Sequence, residues 1–256
     1  MRNEPLGRLC SRKFSLRDKH LFYRIFLRYS TTSHHKLQHE RVVLLHGFLG
    51  FRYQLSPLAT LLKRKGFSVS NFGYPSRDDF ISGHAHNLVD ALNSLALRDT
   101  CKFHFVTHSL GAIVLRLALA QPNCPEIAKL GRLVLLAPPM RGSKFARYLQ
   151  SKELGGKLPK WMEITSKWIV GDCTGRQLMT MTAQDFENMP GFPSTNSILV
   201  IAAEMGRLNP LLENNNDGVL EVEETMLNQP HYRLVTVLNF VCDEEISSEV
   251  VYKGPG

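Results

Sequence analysis

The segment VTHSLGA (Val106 to Ala112) runs an apolar strand pattern straight into a helical one, and Ser109 stands at the junction. A hydroxyl held there sits at the tip of a tight turn, exposed at the end of a strand and near the positive end of the next helix. That placement suits a nucleophile, because helix N–H groups point at negative charge forming beside it. Residues two away on either side should be small where strand and helix backbones come close. Gly111 meets that demand and Thr107 does not. A serine before a helix also suits capping, so a structural reading of Ser109 stands beside the chemical one.

HGFLG (His46 to Gly50) closes the first strong strand, about 60 residues before Ser109. Acyl transfer develops negative charge on a former carbonyl oxygen, and two fixed backbone N–H groups at roughly 2.7–3.1 Å can hold it. Those of Phe48 and Leu110 are the candidates. In this order, with βαβ patterning between them, the two motifs resemble the oxyanion loop and nucleophile elbow of lipases and esterases in the α/β-hydrolase superfamily. The match is partial, since Thr107 stands where the usual G-x-S-x-G has glycine. LVLLAPPMRGS (Leu133 to Ser143) is similar to the strand and loop after the nucleophile helix in lipase-like hydrolases. ENNNDGVLEVEET (Glu213 to Thr225) resembles the loop that carries their triad acid.

The resemblance covers roughly residues 40 to 237. It implies a serine hydrolase that cleaves carboxylic esters, lipid or other acyl esters, through an acyl-enzyme on Ser109, with no cofactor. It assigns Asp217 as the acid that orients the base imidazole. Glu204, at the end of its own strand, is the second candidate for that role, and NNNDG is also strong turn chemistry. The resemblance further implies a general-base histidine after the next strand, LVTVLNFV (Leu234 to Val241), yet no histidine follows His231 in this sequence. His231 comes 14 positions after Asp217 and precedes that strand. Three accounts compete: His231 reaches Ser109, the chain is a binding relative without turnover, or the C-terminal segment departs from the ancestral sequence. The acidic, weakly patterned CDEEISSEVVYKGPG favours the last. His46 and His108 flank the site and are read as structural.

These residues need a scaffold, and the pattern supplies one. VVLLHG (Val42 to Gly47), FSVSNFGY (Phe67 to Tyr74), FHFVTHS (Phe103 to Ser109), LVLLAP (Leu133 to Pro138) and ILVIAAE (Ile198 to Glu204) read as strands. Helical spacing fills Ser56 to Gly66, with Ser56 as cap and Pro57 at the first helical position, then Phe80 to Leu97 and Leu110 to Ala120. This predicts an α/β fold of the α/β-hydrolase type: a mostly parallel central sheet with helices on both faces. Residues about 139–195, with both tryptophans, interrupt the rhythm and are expected to form a cap over the carboxyl edge of the sheet. An ordinary crossover helix with two core tryptophans is the alternative.

The 256 residues suit a leader (1–36) followed by one hydrolase domain (37–256). The net charge of +8 is concentrated in the leader, which holds 9 basic and 2 acidic residues and leaves 22 and 21 for the rest. A nucleic-acid surface is therefore not expected. From Lys13 to Tyr29 the leader sets Lys13, Arg17, His20, Arg24 and Arg28 on one helical face and Leu21, Phe22, Ile25, Phe26 and Tyr29 on another. With RYSTTS behind it, this is presequence-like, and a mitochondrial or plastid destination is the expectation, otherwise an intracellular soluble one. A basic helix in peripheral membrane contact and a solvated extension are the alternatives. No apolar run reaches the length of a membrane span. Cys10, Cys101, Cys124, Cys173 and Cys242 lack metal or redox spacing and read as reduced thiols. His34, His35 and His39, or His84 and His86, find no carboxylate or cysteine at ligand spacing, so no metal is expected.

Overall fold

The structure, a computed structural model, describes residues 40–98, 102–150, 173–204, 206, 212–229 and 232–238. The leader and most of the tryptophan-bearing stretch lie outside them. Six strands form one sheet: β1 (Glu40–Leu45), β2 (Ser68–Phe72), β3 (Lys102–His108), β4 (Arg132–Leu136), β5 (Ser197–Glu204) and β6 (Tyr232–Leu238). Their order is β2-β1-β3-β4-β5-β6, and every neighbouring pair is parallel. β1, β3 and β4 are buried over most of their length because both of their faces are covered.

Parallel neighbours require crossovers. Those are α1 (Ser56–Arg64), α2 (Ile81–Ala96) and α3 (Leu110–Leu119). Between β4 and β5 come α4 (Lys144–Gln150), α5 (Thr174–Thr180) and α6 (Ala183–Glu187). α3 is buried along nearly its whole length and packs against α2 as well as the sheet. Among the described residues no helix is long and apolar enough to cross a membrane, and no cluster of three or more potential metal ligands occurs. Cys124 and Cys173 are free thiols.

Two local expectations are corrected. Ser56 does not cap α1 but is its first residue, because a 3-10 turn over Arg52–Leu55 runs directly into the helix. Leu55 takes the capping position without a side-chain bond, and Pro57 removes one N–H that would need a partner. β6 begins at Tyr232, two residues before the expected start.

Registers align the carboxyl ends of the central strands. Leu45 pairs with Thr107, His108 with Leu136, and Leu136 with Ile201. The loops that follow β1, β3, β4 and β5 therefore leave the sheet at a common edge, where ligands of open α/β sheets bind.

Four histidines sit within this framework, and burial pushes each of them below the ordinary imidazole pKa: His46, His84, His104 and His108. Nearby Asp79 and Glu40 only partly offset burial at His84 and His104. The unfolded chain takes up protons near about pH 6.5 while the native chain resists them. Stability is thus fully present above that value and falls as pH drops below it. Denaturant midpoints should be lower at pH 5.5 than at pH 7.5; an unchanged or higher midpoint at pH 5.5 would contradict this.

Candidate active site

Ser109 has φ 49° and ψ −120°, outside the regions that a serine ordinarily occupies. Its N–H donates to Leu136 O at 2.9 Å, and its carbonyl accepts from Ala112 N at 3.0 Å. One residue thus ends β3 and starts α3. Gly111 is required here: a Cβ would lie 2.8 Å from His46 O and 2.9 Å from Leu45 O. The tight approach is therefore to the end of β1, rather than to the helix's own strand. That explains why Thr107 is tolerated. It is fully buried between Leu45 and Leu135, and its hydroxyl has no partner among the described residues.

The HGFLG segment is fastened against this turn. Gly47 could not carry a Cβ, which would lie 2.8 Å from His108 Nδ1 and 3.0 Å from Ser109 Cβ. Gly50 N donates to Gly47 O at 3.0 Å, closing a turn in which Leu49 takes φ 56°. Ser76 Oγ receives the Leu49 N–H at 3.1 Å. His46 stacks on Tyr74, with centroids 4.4 Å apart and planes at 10°. Its Nδ1 donates to Gly47 O at 2.9 Å, its Nε2 accepts from Tyr74 N at 3.3 Å, and Tyr74 Oη donates to His46 O at 2.7 Å. A ring that must accept at Nε2 is neutral, so His46 serves as a fastening. The N–H groups of Phe48 and Leu110 have no hydrogen-bond partner among the described residues.

Asp217 lies in the loop after β5. Its Oδ1 accepts from Val219 N at 2.9 Å and Leu220 N at 2.7 Å, and its own N–H donates to Leu220 O at 3.0 Å. Turn chemistry is realised, and the charge of the same carboxylate partly offsets the burial that pushes the His108 pKa down. Glu204 accepts from the Asn215 side chain and lines a cavity of 340 Å³ with Glu213, Asn214, Asn215, Val222, Glu223 and Met226. Ser109 is not among the lining residues of that cavity.

His231 lies outside the described residues. Its neighbour Tyr232 pairs with Ile198 near the amino end of β5, whereas Leu238 pairs with Glu204 at the carboxyl end. Tyr74 and Ser76, which brace the HGFLG loop, carry no signal of that role in the sequence. The break at Pro75 marks a loop and gives no hint of its contacts.

With this geometry in place, the sequence pattern described as "Alpha/beta hydrolase family" matches residues 42–237, well over half of the chain. The chain belongs to the alpha/beta hydrolase family. This alpha/beta hydrolase also superposes on solved structures at low identity. The mature form of Bacillus licheniformis lipase BlEst2 gives a TM-score of 0.59 at 16% identity, covering 75% of this chain and 81% of that one. Its propeptide form gives 0.63 at 17%, covering 77% of this chain and 45% of that one. A Listeria innocua gene product gives 0.50 at 15%, covering 77% and 84%. At such identities the likeness is one of fold. The comparison with curated proteins gives no match.

Because Gly111 meets backbone oxygens that cannot swing aside, Gly111→Val should cost about 1–3 kcal/mol of stability. The denaturant midpoint reads this directly, and a wild-type midpoint would show that the turn has slack.

Proposed function

We propose that this alpha/beta hydrolase cleaves carboxylic esters with lipid or other acyl groups, through an acyl-enzyme on Ser109. The observation that carries the reading is the elbow itself: a serine at φ 49° beside two N–H groups without a partner among the described residues. Ser109 Oγ attacks the ester carbonyl, the N–H groups of Phe48 and Leu110 receive the oxyanion, and collapse of the tetrahedral species expels the alcohol. Water then releases the acid and restores the hydroxyl. Asp217 is the triad acid in this reading, supported by its electrostatic reach to the elbow. An apolar substrate is supported by exposed Leu49, Phe51, Phe80 and Val219, all on loops following strands that end at the carboxyl edge.

The insertion at about 139–195 acts as a cap in this proposal. Its described flank docks on the loop after β2, where Thr174 N donates to Asp79 O at 3.1 Å and Ile81 N donates to Gln177 Oε1 at 3.0 Å. The leader is an organellar address, mitochondrial or plastid, in this proposal, a reading supported by its basic amphipathic spacing from Lys13 to Tyr29 and the RYSTTS that follows.

Proton transfer is the weak step. The resemblance puts the base after β6, and this sequence holds no histidine from Tyr232 to Gly256. A serine hydroxyl without a positioned base loses several orders of magnitude in rate. Hydrolysis of a short-chain p-nitrophenyl ester should therefore be slow, absent in Ser109→Ala, little changed in His231→Ala and raised in Phe240→His or Val241→His. Activity surviving in Ser109→Ala would overturn the nucleophile. A robust wild-type rate abolished by His231→Ala would instead make the triad Ser109, Asp217 and His231.

A further inference from the structure

The acid loop contains a buried carboxylate that ester chemistry does not use. Glu221 is fully buried, and both of its oxygens are saturated. Oε1 accepts from Glu213 N at 2.9 Å and Asn214 N at 3.1 Å; Oε2 accepts from Lys144 Nζ at 2.7 Å and Asn214 Nδ2 at 3.2 Å. A carboxylate withdrawn from water is tolerated only when paired and hydrogen-bonded in this way. Burial alone would raise its pKa, but the Lys144 ammonium and the Asn214 donors prevail and pull it down to about 2.

The pair ties the acid loop to the segment after β4. Glu224, three residues on, accepts from Lys144 N through Oε1 and from Glu221 N through Oε2 at 2.9 Å. Arg141 N donates to Glu224 O at 3.0 Å, and Ser143 Oγ donates to Val219 O at 3.1 Å. These bonds grip the loop after Asp217, while the Glu221 carboxylate grips it before Asp217, at Glu213 and Asn214. Asn216 forms a one-residue antiparallel bridge to Glu221, and its N–H donates to Gly206 O at 2.9 Å. Asp217 therefore hangs between a stretch held by the Glu221 carboxylate on one side and one held by Glu224 and Ser143 on the other. Glu213, Asn214 and Asn215 are exposed, so little apolar packing could replace that grip.

We propose that Glu221, paired with Lys144, is the positioning residue of the acid loop: it holds Asp217 beside the elbow and acts on the reaction only through Asp217. The proposal rests on Asp217 being the acid of an ester hydrolase. A role confined to general stability would loosen the whole sheet and would be indifferent to Asp217.

The test uses the full chain carrying Glu221→Gln and, as the milder change at a half-exposed partner, Lys144→Met. Amide hydrogen exchange should accelerate about tenfold or more over 213–220 in both, with protection in β1, β3 and β4 retained. In a Val241→His background, which restores a base for Asp217 to orient, kcat for p-nitrophenyl butyrate should fall about tenfold with KM within about twofold, and adding Glu221→Gln to Asp217→Asn should bring no further fall. Unchanged exchange in the loop, protection lost evenly across the sheet, or kcat losses that multiply independently of Asp217 would each overturn the proposal. If Glu221→Gln fails to fold, Lys144→Met alone decides it by the same exchange and kinetic criteria. Absence of ester hydrolysis in the wild type defeats the ester reading instead, and the exchange measurement still decides whether Glu221 fixes the loop.

Discussion

At Ser109 the backbone adopts a conformation that costs of order 1–3 kcal/mol, and it persists only because its surroundings over-determine it. Three segments converge on that residue. β4 takes its N–H through Leu136, α3 takes its carbonyl through Ala112, and the end of β1 presses against Gly111 and lays Gly47 on the Ser109 Cβ. The fully buried Leu110, Ala112, Ile113 and Val114 hold α3 in the core, so the turn cannot relax by moving the helix. The register that aligns Leu45, Thr107 and Leu135 is thus what holds the Ser109 turn in place.

Charge is distributed around this turn in a consistent way. Burial pushes down the pKa values of the rings beside it, His46 and His108, and His46 is engaged at both nitrogens as a neutral ring. Negative charge arrives from one direction, through the loop that carries Asp217, and that loop is anchored by the saturated Glu221 carboxylate. The partial positive end of α3 and the N–H groups of Phe48 and Leu110, without a partner among the described residues, would meet the opposite need in the proposed reaction, the accommodation of a developing oxyanion. In the proposed ester chemistry, such a site would stabilise the acyl-transfer transition state before any proton is moved.

Much of this was legible in the sequence, for identifiable reasons. Strands buried on both faces write themselves as apolar runs, so β1, β3, β4 and β5 were found within a residue or two, and their sharp glycine and serine ends marked the site loops. Thr107 looked like a departure because the crowding was assigned to the wrong neighbour; only the three-dimensional path shows Gly111 against β1. Ser56 looked like a cap because a preceding 3-10 turn leaves no periodic trace. Glu221 reads as a solvated acid in an acidic stretch, and its burial depends on Lys144, 77 residues away, which no local pattern records. The base is different in kind, since the sequence after β6 holds no histidine to find.

The central claim is that the fold makes the Ser109 hydroxyl a nucleophile toward acyl-type electrophiles. Its most direct measurement is to expose the folded chain to a fluorophosphonate, digest it, and locate the adduct by mass spectrometry. Slow, stoichiometric modification of Ser109 alone is expected, lost when the chain is denatured before exposure. An adduct on another residue, or none on the folded chain after prolonged exposure, would contradict it.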